Sequence, residues 1–349
     1  MTMPAMPRFP APMRQALATL LLAGAALAPH TAMARKPASL PMATCINLGN
    51  HLDMAHGGEI QHNRLGPADF ARIKAAGFDT VRLPVNWSSH SLATPPYTID
   101  PAWFARVDQV VDGALHAGLK VILNSHNFEA INTDPVGAQP WFTAVWKQIA
   151  DHYASRPRQT LWFEIENEPK DALDNANLVT TFAPALAAIR RHNPNRPVII
   201  GGEKWSNITS LATLNLPDDP QVWPTFHYYE PFAFTHQGAT WVAPSPPLGR
   251  TYGTPADLAR LPVDVQRIKA YVARTGKIPL MGETGAFESI PTDQRIAYYR
   301  SVFKTFRPLG VPICVWAYTN TFPFFDSHKG QWIPGLRGAI GLPETSPKR

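Results

Sequence analysis

A chain of 349 residues, 45 % hydrophobic and 17 % charged, has a globular composition, and it carries no low-complexity segment, internal repeat or appended module. Its formal charge of +6 does not point to a nucleic-acid partner: Arg8, Arg14, Arg35 and Lys36 fall in or near the N-terminal segment, Lys348 and Arg349 form the tail, and the other basic residues are scattered. Two cysteines without zinc or redox spacing, and twelve histidines without a His-Glu-x-x-His, leave no motif for a metal or cofactor, and none is expected.

In chain order, Arg8 and Arg14 precede an apolar run from Ala16 to Ala28, and Ala32-Met33-Ala34 then offers the small residues of a cleavage site. That is the layout of a secretory signal peptide over residues 1–34, with an apolar run too short to span a bilayer comfortably. Residues 35–349 are therefore expected to form one exported domain, free of the membrane after cleavage and monomeric. Short apolar runs predict strands at Thr44–Leu48, Thr80–Pro84, Lys120–Asn124, Leu161–Ile165, Pro197–Gly201, Val222–His227, Ile278–Gly282 and Ile313–Ala317. Amphipathic stretches between them predict helices near Pro67–Ala76, Pro101–Ala117, Ala138–Ala154, Ala176–His192, Ser206–Leu214, Pro255–Arg274 and Thr292–Phe306, with a short one near Leu336–Ile340. Asp100 before Pro101 and Thr254 before Pro255 are suitable helix starts. Eight strands alternating with helices, in a region of roughly 300 residues and without a Gly-rich phosphate loop, predict an α/β fold of one closed (β/α)8 TIM barrel.

In such a barrel the active site lies at the C-terminal strand ends. The residues found there are Asn47, Asn50 and Asp53 on the first strand, Arg82 on the second, His126 and Asn127 on the third, and Asn167 and Glu168 on the fourth. Glu203 and Trp205 follow the fifth, His227 and Tyr229 the sixth, Glu283 the seventh and Trp316 the eighth. Cores are built from aliphatic residues, so a ring of polar and aromatic groups at one mouth indicates a site. Two glutamates within that ring suit glycoside hydrolysis, which needs one protonated and one ionised carboxyl. Arg82 and Tyr229 are available to keep Glu283 charged, whereas aromatic walls and Asn167 favour a neutral Glu168.

The segments INLGN at 46–50, VRLPVNW at 81–87, NSHN at 124–127, FEIENEP at 163–169, FHYYEPFAFTHQGATW at 226–241, MGETG at 281–285 and VWAY at 315–318 resemble glycoside hydrolase family 5, in family order and spacing over about Cys45 to Leu342. The resemblance implies a retaining β-glycanase with Glu168 as acid/base and Glu283 as nucleophile. It implies that Arg82 and Tyr229 bond the nucleophile and Asn167 the sugar 2-hydroxyl. His126 and His227 would shape the −1 subsite, with Trp316 as its floor and His236 and Trp241 in the cleft wall. Two positions depart from the pattern: Asp53 stands where related endoglucanases often have Glu, and Asn127 where some relatives have a second His. Both leave the choice of sugar open.

Plainer readings compete at several positions. Glu164 and Glu166 are read as structural charge partners, and Glu203 and Glu230 as loop acids. Trp87, Trp205 and Trp241 either pack in the protein or stack on sugar faces. The expected function is an endo-β-1,4-glucanase acting on β-linked polysaccharide. The alternatives are a β-mannanase or mixed-linkage glucanase, a carbohydrate-binding protein on an inactive barrel, and a metal-dependent barrel hydrolase. Cys45 and Cys314 should face each other at the seam between the first and eighth strands. Because adjacent strands tend to feed different interior layers, two reduced thiols are expected there rather than a disulfide.

Overall fold

The computed structural model describes residues 36–54 and 64–344. The proposed signal peptide lies outside the described residues. Among those described, no helix is long and apolar enough to cross a membrane.

Eight parallel strands close into a barrel in sequential order. They are β1 (Thr44–Asn47), β2 (Thr80–Val85), β3 (Lys120–Ser125), β4 (Leu161–Glu164), β5 (Val198–Gly201), β6 (Val222–His227), β7 (Leu280–Glu283) and β8 (Ile313–Val315). Helices return the chain outside at Pro67–Ala75, Pro101–His116, Gln139–His152, Leu178–His192, Pro255–Thr275, Thr292–Phe306 and Leu336–Ala339. The helix starts follow the capping residues: the Asp100 carboxylate accepts from Ala102 N, and Thr254 and Asp257 form a capping box.

One predicted helix is corrected. Instead of a helix over Ser206–Leu214, β5 leads into a left-handed turn at Glu203–Ser206 and a short 3-10 segment at Ile208–Ala212. Asn207 sets the break, because it is the N-cap of the 3-10 segment: its side-chain oxygen accepts from Thr209 N, so the helical turn begins only at Ile208.

The interior is layered. Cys45, Ile122, Trp162, Ile199, Leu280 and Cys314, with Leu40, form an apolar plug in the lower barrel. Above it the buried inward residues turn polar: Asn47, Arg82, Asn124, Glu164, Thr225, His227 and Glu283. Period two carries this change along most strands, for example Cys45 to Asn47 and Ile122 to Asn124. β7 departs from the pattern. Its pairing with β6 slips from Phe226↔Met281 to His227↔Glu283, so Gly282 is an extra residue. This bulge turns Glu283 into the barrel three positions after Leu280, where strict alternation would have pointed Gly282 inward. A Cβ at Gly282 would stand 2.8 Å from Thr225 Oγ1 and 3.1 Å from His227 Nε2, so the close approach needs glycine.

The expectation of free thiols is also corrected. Cys45 and Cys314 are bonded, with Cα atoms 4.2 Å apart. β1 and β8 pair with Cys45 directly beside Cys314, and this side-by-side register puts both sulfurs at one level of the plug. A thiol reagent should label no cysteine in the denatured, unreduced protein and two after reduction. Linking residues 269 positions apart restricts the unfolded chain strongly. Replacing both cysteines by alanine is expected to cost about 2–5 kcal/mol, seen as a Tm lower by roughly 5–15 °C.

Candidate active site

An open cleft of about 420 Å³ lies at the C-terminal mouth of the barrel. Asn50, Asp53, His126, Asn127, Asn167, Glu168, Tyr229, His236, Trp241, Glu283 and Trp316 line it, and so do Met54, Thr321 and Phe322. The last three were not anticipated from sequence. Thr321 and Phe322 follow β8 beyond Trp316, where no strand-end rule reaches, and Asn50 Nδ2 donates to Thr321 Oγ1 at 2.9 Å.

Beneath the cleft floor, Arg82 organises the charges. Its side chain is fully buried, so it serves the site through other groups rather than by touching a substrate. Nε and Nη2 donate to the two oxygens of Glu164 at 2.5 and 3.1 Å; Nη1 donates to Glu283 Oε1 at 2.7 Å and Asn47 Oδ1 at 2.9 Å; Nη2 also donates to Asn167 Oδ1 at 2.6 Å. Glu164 is therefore the structural charge partner anticipated. Glu166 is buried with Ser125 Oγ donating to it at 3.3 Å, and burial holds its carboxyl well above the usual range.

The Tyr229 hydroxyl donates to Glu283 Oε2 at 2.8 Å. His227 Nδ1 lies 2.7 Å from Glu168 Oε1 and 3.6 Å from Glu283 Oε2. One oxygen of each glutamate and a His227 nitrogen all fall within 4.8 Å of one another. Burial pushes the His227 ring down to about 4, so near neutral pH it sits between the glutamates without charge. It then cannot offset the repulsion between two carboxylates, and one proton shared by the pair is favoured.

The glutamates differ in surroundings. Burial pushes Glu168 up to about 7 even though a quarter of its side chain faces the cleft, and among the described residues no arginine or tyrosine bonds it. Glu283 is also raised by burial, against the expectation that it is simply held charged. Arg82 and Tyr229 oppose that rise by hydrogen-bonding the carboxylate, so the Glu283 anion has a cationic and a phenolic donor, whereas Glu168 meets the uncharged His227 ring.

Trp316 stacks parallel to His126 at 5.8 Å. Its indole passes so close to Gly49 that a Cβ there would meet the ring at 2.6 Å, which reserves that position for glycine. Across the cleft, His236 stacks on Phe232 at 4.1 Å, and Trp241, half exposed, packs against Phe322 and Phe287. The two departures from the family pattern meet here. The Asp53 carboxylate accepts from Asn50 N and His51 N, burial raises it to about 6, and its backbone oxygen accepts from Asn127 Nδ2 at 2.6 Å.

Three positions read as sugar contacts need comment. Trp87 is corrected: it is wholly buried, its ring 5.4 Å from Phe104 of the helix Pro101–His116, so it packs the outer layer. His227 is buried and faces the glutamates instead of lining the open cleft. Trp205 is 55 % exposed on the turn after β5, beside the cleft residues and not among them. Glu203 accepts from Asn175 N, and Glu230 pairs with Arg260 at 3.0 Å, as loop acids would.

A parallel eight-stranded barrel with two unlike carboxyls facing each other across its C-terminal mouth belongs to the class of two-carboxylate barrel hydrolases. The family model for cellulase (glycosyl hydrolase family 5) matches residues 56–321, and this chain belongs to that family. Endoglucanase H of Acetivibrio thermocellus is 34 % identical over 270 residues, covering 77 % of this chain and 29 % of that protein. Endoglucanase B of Clostridium cellulovorans is 27 % identical over 319 residues, covering 82 % and 70 %. The chain thus spans under a third of the first of these relatives. Among solved structures, endoglucanase Cel5A of Thermotoga maritima superposes with a TM-score of 0.81 at 35 % identity, covering 85 % of this chain and 96 % of that one.

Proposed function

We propose that this protein is an exported, retaining endo-β-1,4-glucanase, with Glu168 as acid/base and Glu283 as nucleophile. The observation that carries the reading is the pair itself. One oxygen of each lies within 4.8 Å of the other, an approach that suits the ~5–5.5 Å carboxyl separation of retaining enzymes better than the ~6.5–9.5 Å that leaves room for an inverting enzyme's water. In the first step Glu283 attacks the anomeric carbon while Glu168 gives its proton to the departing oxygen. In the second, Glu168 takes a proton from water, the water oxygen bonds to the same carbon, and Glu283 leaves as carboxylate. Arg82 and Tyr229 stabilise that carboxylate in both steps. The Arg82 bond to Asn167 Oδ1 turns the Asn167 amide toward the sugar 2-hydroxyl, and Trp316 provides an apolar floor for its ring.

Reducing-sugar release from carboxymethylcellulose, barley β-glucan, glucomannan, galactomannan and xylan tests the substrate, with the fastest release expected on the β-1,4-glucans. Proton NMR of the first product should show the β-anomer, and an initial α-anomer would remove the double displacement. A second reading, β-mannan hydrolysis by the same site, is favoured by one observation: Cel5A of T. maritima, 34 % identical to this chain, has been crystallised with mannotriose as well as with cellobiose.

The pH–rate profile should be a narrow bell. Glu168 must be protonated and its carboxyl is raised to about 7, so kcat/KM in the free enzyme should fall as pH rises through about 7. Glu283 must be ionised and is also raised, so the acid limb should lie above the ordinary ~4.3 of glutamate. A plateau extending past pH 9 would contradict the assignment of Glu168.

A further inference from the structure

The turn Glu203–Ser206 has an unusual backbone. Lys204, Trp205 and Ser206 all adopt left-handed conformations, with φ of 58°, 58° and 53°, and none is glycine. Single non-glycine residues visit this region occasionally, but three in succession persist only where surrounding contacts hold them. Those contacts converge on the segment that carries Glu168. The Ser206 hydroxyl, fully buried, donates to the Asn167 carbonyl at 3.0 Å. The Trp205 amide donates to the Pro169 carbonyl at 3.1 Å. Glu168 is thus gripped through the residue on either side of it. The turn is itself anchored, since Asn175 Oδ1 accepts from Glu203 N and the Glu203 carboxylate accepts from Asn175 N. At its far end Asn207 forms a parallel bridge with His227, the residue bonded to Glu168. Gly201 completes the fit, because a Cβ there would fall 2.1 Å from Ser206 Oγ.

We propose that Ser206 is a positioning residue for the acid step: its hydroxyl, delivered by the left-handed turn, fixes the Asn167–Pro169 backbone so that the Glu168 carboxyl meets the departing oxygen. The inference rests on the reading of Glu168 as acid/base. Ser206 is fully buried, so it acts through the Asn167–Pro169 backbone that carries Glu168 and not by contact with substrate. Proton donation depends steeply on placement, and it matters only when the leaving group needs a proton. The role therefore has a signature that plain loss of structure lacks.

The test compares kcat/KM, which reports formation of the glycosyl-enzyme, on cellotetraose and on 2,4-dinitrophenyl β-cellobioside, whose leaving group needs no acid. Ser206→Ala keeps the left-handed conformation and removes the hydroxyl. Ser206→Gly removes the hydroxyl and relaxes the backbone. Both are expected to lose about 10- to 100-fold on cellotetraose and less than 3-fold on the activated substrate. The alkaline limb of the pH profile should move to lower pH as water reaches the loosened carboxyl. Equal losses on the two substrates, or recovery of the cellotetraose rate in Ser206→Gly, would overturn the role of the hydroxyl. If Ser206→Ala does not fold, the glycine variant decides alone. Glu168→Ala, measured in parallel, separates the two claims. Selective loss on cellotetraose supports the acid assignment, while equal loss on both substrates removes that assignment and the inference built on it.

Discussion

Glu283→Ala is expected to lower turnover on polysaccharide by about 10⁴-fold or more, since the proposed mechanism makes the covalent intermediate on Glu283. Azide fits the space vacated by the carboxylate and should restore turnover on an activated glycoside, giving the inverted α-glycosyl azide. Glu168→Ala should behave differently. Its loss is about 10²–10⁴-fold on polysaccharide and small on dinitrophenyl glycosides in the glycosylation step, and azide should give the β-product because Glu283 still makes the intermediate. The contrast follows from the site: among the described residues, Glu283 is bonded by Arg82 and Tyr229, and Glu168 by His227. Thermal melts should show both variants folded. Near-native turnover by either variant, or the same azide anomer from both, would undo the assignment of roles.

Arg82→Met is expected to cause the largest loss of stability of any single change at the site. The guanidinium is fully buried and neutralises Glu164, which is fully buried as well. Removing it leaves a carboxylate with no partner in the barrel, at a cost of about 3–5 kcal/mol, or a Tm lower by roughly 10 °C. Activity should fall too, because Glu283 loses its charged donor. The double variant Arg82→Met/Glu164→Gln separates the effects. With both charges gone the melting temperature should largely recover, but kcat should not. Recovery of both would mean that Arg82 acts only by balancing Glu164.

Much of the site was legible from the order of residues alone. A strand that ends an apolar run must place its last side chains at the barrel mouth, so Glu168, Glu283, Trp316 and their companions could be located without coordinates. The alternation of strand and helix was likewise a local signal, and the boundaries moved by only a few residues. Glu164 was anticipated as a structural charge partner because it shares strand parity with Glu168 two steps deeper.

What the sequence could not determine were relations between strands and the path of loops. Trp87 and Trp241 are equally plausible sugar platforms in the sequence, yet one packs against Phe104 and the other lines the cleft, which depends on where each loop turns. The disulfide depends on the register of β1 against β8, and strand-layer rules did not predict that Cys45 would stand beside Cys314. Glu283 points inward only because the pairing of β7 with β6 admits Gly282 as a bulge, an event that no alternation within β7 announces. Period, capping and burial preference act over a few residues and can be read in one strand. Register, bulges and loop paths are settled by the closure of the whole barrel, where partners hundreds of residues apart must share one level.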